Sequence, residues 1–157
     1  MTKSKISLSA YVKKRNGVPM GASRSLRNML RRSLGAGSFA LFWHYWNPIW
    51  GFYLARYIMQ PLSAIVPRWL AVMVTFSVSG LLHDAAVSLV KWQLCWFFSS
   101  WFTLMGGIVV LSAHFALNYS AQPWWRRAAI NSLFLVSSFL CTQGLLGYLP
   151  QLHWGVV

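Results

Sequence analysis

Acidic residues are almost missing from this sequence. Asp84 is the single Asp or Glu in 157 residues, against 14 Lys and Arg. Charged residues make up 10% of the chain, where a soluble domain carries about 25% of both signs. That shortage excludes most soluble folds. Cysteine is scarce too. Cys95 and Cys141 each fall inside an apolar run, with no metal-ligand spacing and no disulfide framework, so both read as buried thiols and no metal is expected. The polar N-terminal stretch is not followed by a short apolar run with a small-residue cleavage site, so no signal-peptide cleavage is expected. Disorder is excluded by what is abundant, because 57% of the chain is hydrophobic and 17% aromatic.

The composition is that of an all-α integral membrane protein whose few charges sit at membrane edges or do a job. Nine of the 14 basic residues fall within the first 35 positions, from Lys3 to Arg32. Residues 1–36 therefore read as a basic arm. Within it, Leu26, Met29, Leu30 and Leu34 recur at helical spacing with Arg24, Arg27, Arg31 and Arg32 between them, the pattern of an interfacial amphipathic helix. Such an arm neutralises phosphates, either of nucleic acid or of anionic lipid. Because it precedes a membrane domain, membrane lipids are the expected partner and nucleic acid is not.

Residues 37–157 form the membrane domain. The stretch 38–62 is dense in aromatics and is broken by Asn47-Pro48, since proline cannot continue a helix and restricts the residue before it. Three apolar runs follow, at about 69–90, 92–117 and 128–149. A helix of 22 residues is about 33 Å long, enough to cross a hydrocarbon core of about 30 Å. If only these three runs span and 38–62 lies at the interface, 13 basic residues share one side and Lys91 alone takes the other. If 38–62 spans as well, Arg56 is buried and Arg68, Arg126 and Arg127 move outside. The positive-inside rule favours the first arrangement, with interfacial broken helices over 38–62, a cytoplasmic basic arm and an external C-terminus. A bacterial inner membrane or an endomembrane fits that reading.

His83 and Asp84 fall in the middle of the first run. Ionisable groups at such depth point to function by default, although a buried His can equally satisfy itself on a backbone carbonyl or a neighbouring helix. Consecutive residues on a helix do not face each other, so His83 and Asp84 do not read as a dyad. Asp84 is expected to meet a polar or basic group on another helix, and Ser79 and Gly80 to allow close helix packing. Trp43 and Trp46 read as an aromatic belt or as substrate contacts. His114 and Asn118 stand one helical turn apart and could line a polar channel or mark the interface. Arg126 and Arg127, after Trp124-Trp125, read as an interfacial anchor that could also meet anionic phosphates such as those of coenzyme A.

Two stretches taken together are more specific. Phe42-Trp43-His44-Tyr45-Trp46-Asn47 is followed fifteen residues after Asn47 by Pro61-Leu62, and then by Phe76-Ser77-Val78-Ser79-Gly80-Leu81-Leu82-His83-Asp84. In order and spacing these resemble the signature of the membrane-bound O-acyltransferase superfamily, nearest to its wax synthase-like branch and similar to its alginate-acetylation branch. The resemblance covers about residues 42–90 and only the C-terminal half of that family. It implies transfer of an acyl group from a thioester, with acyl-CoA as co-substrate and no other cofactor, to a hydroxyl of a lipid, alcohol or saccharide. The family's two key polar residues carry over onto Asn47 and His83. A desolvated His suits the base that takes a hydroxyl proton, and Asn supplies a neutral donor for an oxyanion or acceptor. Trp43, Trp46, Asp84, His114, Arg126 and Arg127 are the further candidates for substrate contact. Matching half a family implies a homo-oligomer or a partner subunit. A reading of another class is a non-catalytic membrane subunit that binds a partner or lipid.

Overall fold

A computed structural model describes residues 6–148, and among these every regular element is helical. Two short helices, α1 (Leu8–Asn16) and α2 (Ser25–Leu34), form the arm. The aromatic stretch folds as α3 (Phe39–Tyr45) and α4 (Pro48–Leu54), then a π-helical turn at Ala55–Met59 and α5 (Gln60–Ser63). Three long helices follow, α6 (Arg68–Lys91), α7 (Phe97–His114) and α8 (Trp124–Tyr148). All three are long and apolar enough to cross a membrane. Only 22%, 22% and 17% of their apolar windows are buried inside the chain. Leu81, Leu89, Leu111, Leu133 and Leu140 are exposed on their outer faces, an arrangement that water penalises and lipid accepts. The protein is thus an all-α membrane protein.

The first span matches its expected limits to within a residue at each end, while the second is trimmed at both ends. Trp92 takes a left-handed conformation (φ 52°) that stops α6, and the Ser88 hydroxyl accepts from the Cys95 N–H at 2.9 Å across the loop. Ala116 (φ 49°) turns the chain after His114, so Asn118 lies in a loop and not one helical turn beyond His114. At α8 the helix starts four residues before the expected position, directly behind Pro123, so Arg126 and Arg127 stand in its first turn. Leu149, its expected last residue, lies outside the described residues. The cysteines are not the buried pair expected: Cys95 is half-buried and Cys141 is exposed on α8. An apolar helix face suits a thiol as well as a core does.

The only acid of the chain joins α6 to α7. No side chain next to α7 caps its N-terminus, and Asp84 of α6 does so from across the helix pair. Its carboxylate accepts from the N–H groups of Phe98 (2.8 Å) and Ser99 (2.7 Å), and also from the Ser99 hydroxyl. These are the second and third helical N–H groups, the ones that an ordinary N-cap satisfies, and the negative charge faces the positive end of the helix dipole. Gly80, one turn earlier on the same face, makes room for that turn: a Cβ there would stand 2.5 Å from the Phe98 carbonyl oxygen. The expected polar partner of Asp84 is therefore a helix terminus, and the expected close packing at Gly80 is present.

The broken helices expected over 38–62 are present, with their break at Trp46-Asn47, but they pack against the long helices along their length. Phe39 and Phe42 of α3 are fully buried with Met105 and Val109 of α7, and Phe39 meets Phe134 of α8. Trp43 lies edge-on to Phe76 of α6 and close to Phe102 of α7. Trp50 of α4 reaches Ser79, eleven residues or about 16 Å along α6 from Arg68. Burying five or more rings among three helices outweighs leaving them at an interface.

The arm is docked, not free. Asn16 Nδ2 donates to the Ser25 carbonyl (3.1 Å) and hydroxyl (2.7 Å), tying α1 to α2. Fully buried Asn131 of α8 donates to the carbonyls of Leu34 (2.8 Å) and Ala36 (3.0 Å) and accepts from the Tyr119 hydroxyl at 2.6 Å. Burial pushes the Tyr119 phenol up to about 12.

Two outcomes test these joints. Asp84→Ala, which strands two N–H groups, lowers stability in detergent by about 3 kcal/mol, and Asp84→Asn by less; an unchanged thermal midpoint removes the capping role. Because the folded state holds the Tyr119 proton to higher pH than the unfolded chain does, its share of stability is present below about pH 10 and declines as pH rises toward about 12. The stability gap between the parent and Tyr119→Phe therefore narrows over that window, and a constant gap in pH-dependent melts excludes the buried phenol.

Candidate functional site

The stretch Ser79-Gly80-Leu81-Leu82-His83-Asp84 carries two pairs at i, i+4. Gly80 and Asp84 face α7. Ser79 and His83 are turned by about 100° from them, toward α4. Between that face and the aromatic helices lies a cavity of about 270 Å3. Its wall is Tyr11 of α1, Trp43 and His44 of α3, the turn residues Trp46 and Asn47, Trp50 of α4, Met59 of the π-helical turn, Thr75, Phe76, Ser79 and His83 of α6, and Phe102 of α7. Every described helix before α7 contributes except α2 and α5.

His83 is held by three rings and a carbonyl. Its ring stacks on Phe102 at 5.0 Å, tilts toward Phe98 at 5.8 Å and meets the Trp50 indole edge-on at 5.9 Å. Nδ1 lies 2.7 Å from the Ser79 carbonyl oxygen. A carbonyl only accepts, so Nδ1 carries a proton, and in the neutral ring Nε2 keeps the basic lone pair. Ser79 is 3% exposed, and its hydroxyl accepts from Trp50 Nε1 at 2.9 Å. Ser79 thus fixes the imidazole with its carbonyl and the indole with its hydroxyl. It is a bracket between α4 and α6, not a filler for close packing as the sequence suggests.

Asn47 occupies the break between α3 and α4. Its backbone is left-handed (φ 38°), a conformation that Asn adopts more readily than most residues. Its Oδ1 accepts from the Trp50 N–H at 3.2 Å, capping α4, and Pro48 follows as the first helical residue. With the oxygen committed to the cap, the amide orientation is set and Nδ2 is the donor left over.

The π-helical turn also borders the cavity, through Ala55 and Met59. Pro61 lies just beyond it and has no N–H for the Tyr57 carbonyl, and the wider turn spaces the chain around that missing bond.

Of the sequence candidates, the cavity brings together His83, Asn47, Trp43 and Trp46. Trp43 is packed among Phe39, Phe42, Phe76 and Phe102, which is a core position and not a belt. Trp46 stacks on Phe42 and stays 36% exposed. Asp84 is outside the cavity with both oxygens engaged at α7, so the structure gives it no opening to a substrate. His114 is exposed at the end of α7 against Phe115. Arg126 donates to Gln122 Oε1 at 3.1 Å and lies over the Trp125 ring, and Arg127 is half-buried; neither borders the cavity. Sequence reasoning missed Trp50 and Tyr11. Nothing separates Trp50 from its aromatic neighbours, and Tyr11 lies in a polar arm that reads as separate from the membrane domain.

Comparison with protein families, with curated proteins and with solved structures finds no match for this chain.

The bracket has a direct test. Trp50→Phe and Ser79→Ala each remove the same hydrogen bond, so a double-mutant cycle read by unfolding in detergent gives a coupling of about 1 kcal/mol. Additive losses would mean that Trp50 and Ser79 act separately.

Proposed function

We propose that this chain is a membrane-bound O-acyltransferase, or the catalytic half of one, working in the aromatic cavity. The observation that carries the proposal is that Asn47 and His83 border one cavity, with Nδ1 of His83 held by a carbonyl so that Nε2 is the basic atom. In the proposed reaction, Nε2 of His83 takes the proton of an acceptor hydroxyl as its oxygen attacks the carbonyl carbon of an acyl thioester. The C–O bond forms and negative charge collects on the former carbonyl oxygen, where Nδ2 of Asn47 donates to it. Collapse breaks the C–S bond. The imidazolium returns its proton to the leaving sulfur, giving an ester and a free thiol. Trp43, Trp46, Trp50 and Phe102 exclude water and accept the apolar part of the substrate. Acyl-CoA is the proposed donor, and a lipid, alcohol or saccharide hydroxyl the acceptor.

The proposed orientation places the basic end in the cytoplasm. α2 touches the start of α8 through Arg31 and Trp124, and Tyr119 of the α7–α8 loop donates its N–H to Gly37 at 2.9 Å, so the arm and that loop share one end. The positive-inside rule assigns that end to the cytoplasm of a bacterial inner membrane or an endomembrane.

A second reading has its own support. Only about a fifth of each span's apolar window is buried within the chain, which leaves room for helices of a second copy or of a partner subunit. In that reading the cavity holds a lipid and no reaction occurs.

Purified protein in nanodiscs, given radiolabelled acyl-CoAs with fatty alcohols, glycerolipids and a membrane extract, separates the two. The expected result is label in an ester, reduced about 10²–10⁴-fold in His83→Ala and about 10²–10³-fold in Asn47→Ala. Transfer that survives in His83→Ala overturns the assigned base. Absence of label from every donor, with the protein folded, favours the subunit.

A further inference from the structure

The arginines of α2 have no acid to answer them, since the only Asp or Glu of the chain is engaged at the far end of α6. Arg32 lies over the Tyr45 ring, and among the described residues Arg27 and Arg31 have neither a ring nor a carboxylate. Their positions are not random. Arg27, Leu30, Arg31 and Leu34 follow the i, i+3, i+4, i+7 spacing of one helix face. That face looks onto Trp124, the first residue of α8, across a groove of about 310 Å3.

The groove is built. The Trp124 indole donates to the Arg31 carbonyl at 3.0 Å, which holds the ring against α2. Gly35 lets it approach, because a Cβ there would collide with the indole. Asn131, two turns along α8, holds the end of α2 through the Leu34 and Ala36 carbonyls. The groove thus has a guanidinium rim, a leucine and indole floor, and no internal anion.

We propose that this groove binds one anionic phospholipid, its phosphate between Arg27 and Arg31 and the upper part of an acyl chain along Leu30, Leu34 and Trp124. The mixture of surfaces selects the occupant. A soluble phosphate would use the rim and leave the floor wet, and a neutral lipid would use the floor and leave two cations unanswered. The position agrees, because Trp124 begins a helix apolar enough to span, and tryptophan at the start of a span sits at head-group depth. Two guanidiniums near an anionic head group contribute together a factor of about thirty in affinity. The site stands apart from the acyl-transfer cavity, and its test needs no activity.

The test is native mass spectrometry of the full chain from detergent, titrated with dioleoyl phosphatidylglycerol, dioleoyl phosphatidylcholine or glycerol phosphate. The expected result is one retained phosphatidylglycerol, weakened about thirtyfold in Arg27→Gln/Arg31→Gln. Retention is expected to be nearly restored in Arg27→Lys/Arg31→Lys and unchanged in Lys13→Gln/Lys14→Gln, which removes the same charge from exposed positions on α1. Trp124→Ala weakens retention of phosphatidylglycerol while leaving all charges in place. Equal weakening by the α1 and α2 pairs overturns the site in favour of diffuse attraction. Equal retention of phosphatidylcholine, or displacement of the lipid by glycerol phosphate alone, overturns the anionic-lipid assignment.

Discussion

One carboxylate sets the geometry on which the remaining structure is built. Asp84 ends the polar demands of α7 from a neighbouring helix, so α7 starts in apolar surroundings without a capping residue of its own. That bond fixes the register of α6 on α7. With the register fixed, Phe98 and Phe102 both meet His83, and Phe76 meets Gly106, where a Cβ would stand 2.9 Å from the Phe76 Cβ. Cavity and helix pair therefore share a determinant that touches no cavity atom. A single residue of shift along α6 would turn His83 away from α4 by about 100°.

Three polar residues of this apolar protein each serve two neighbours. Ser79 accepts an indole proton with its hydroxyl and an imidazole proton with its carbonyl. Asn47 both ends one helix and starts the next, with its amide nitrogen turned out of the cap. Asn131 gathers two carbonyls from the end of α2 and a phenol from the α7–α8 loop. In a low-dielectric interior an unpaired polar group is costly, which sets apart the Trp43 indole N–H, buried without a partner at the cavity wall. The arrangement leaves Nε2 of His83, Nδ2 of Asn47 and Nε1 of Trp43 as polar atoms with capacity to spare at the cavity, and the proposed acyl transfer rests on the first two.

How much of this was legible in the sequence differs from element to element. The middle of each long helix was, because an apolar run of that length has few alternatives. The ends were not. Trp92 and Ala116 stop their helices through left-handed backbone that neither side chain advertises. The break at Asn47-Pro48 was legible from proline chemistry, but the depth to which the flanking aromatics pack was not, since a ring reads alike at an interface and in a core. Asp84 was legible as buried and partnered. That its partner is a helix terminus was not, because backbone N–H groups leave no mark in a sequence. Asn47 and His83 were singled out by a family resemblance. Their common cavity depends on Trp50, Ser79 and Tyr11, which only tertiary packing brings together.

The bonds between α8 and the arm also impose an order of assembly. Trp124 reaches back 93 residues to Arg31, and Asn131 reaches back 97 to Leu34 and 95 to Ala36. Until α8 has been synthesised these carbonyls lack the side-chain donors that it brings. At the usual pace of a ribosome the interval is roughly 5–20 s. Throughout it α2 is an amphipathic helix not yet held to α8, its three arginines facing whatever membrane the nascent chain has reached. Docking is thus a late, long-range closure, and a chain stalled before α8 carries an arm whose basic face has not yet acquired its indole wall.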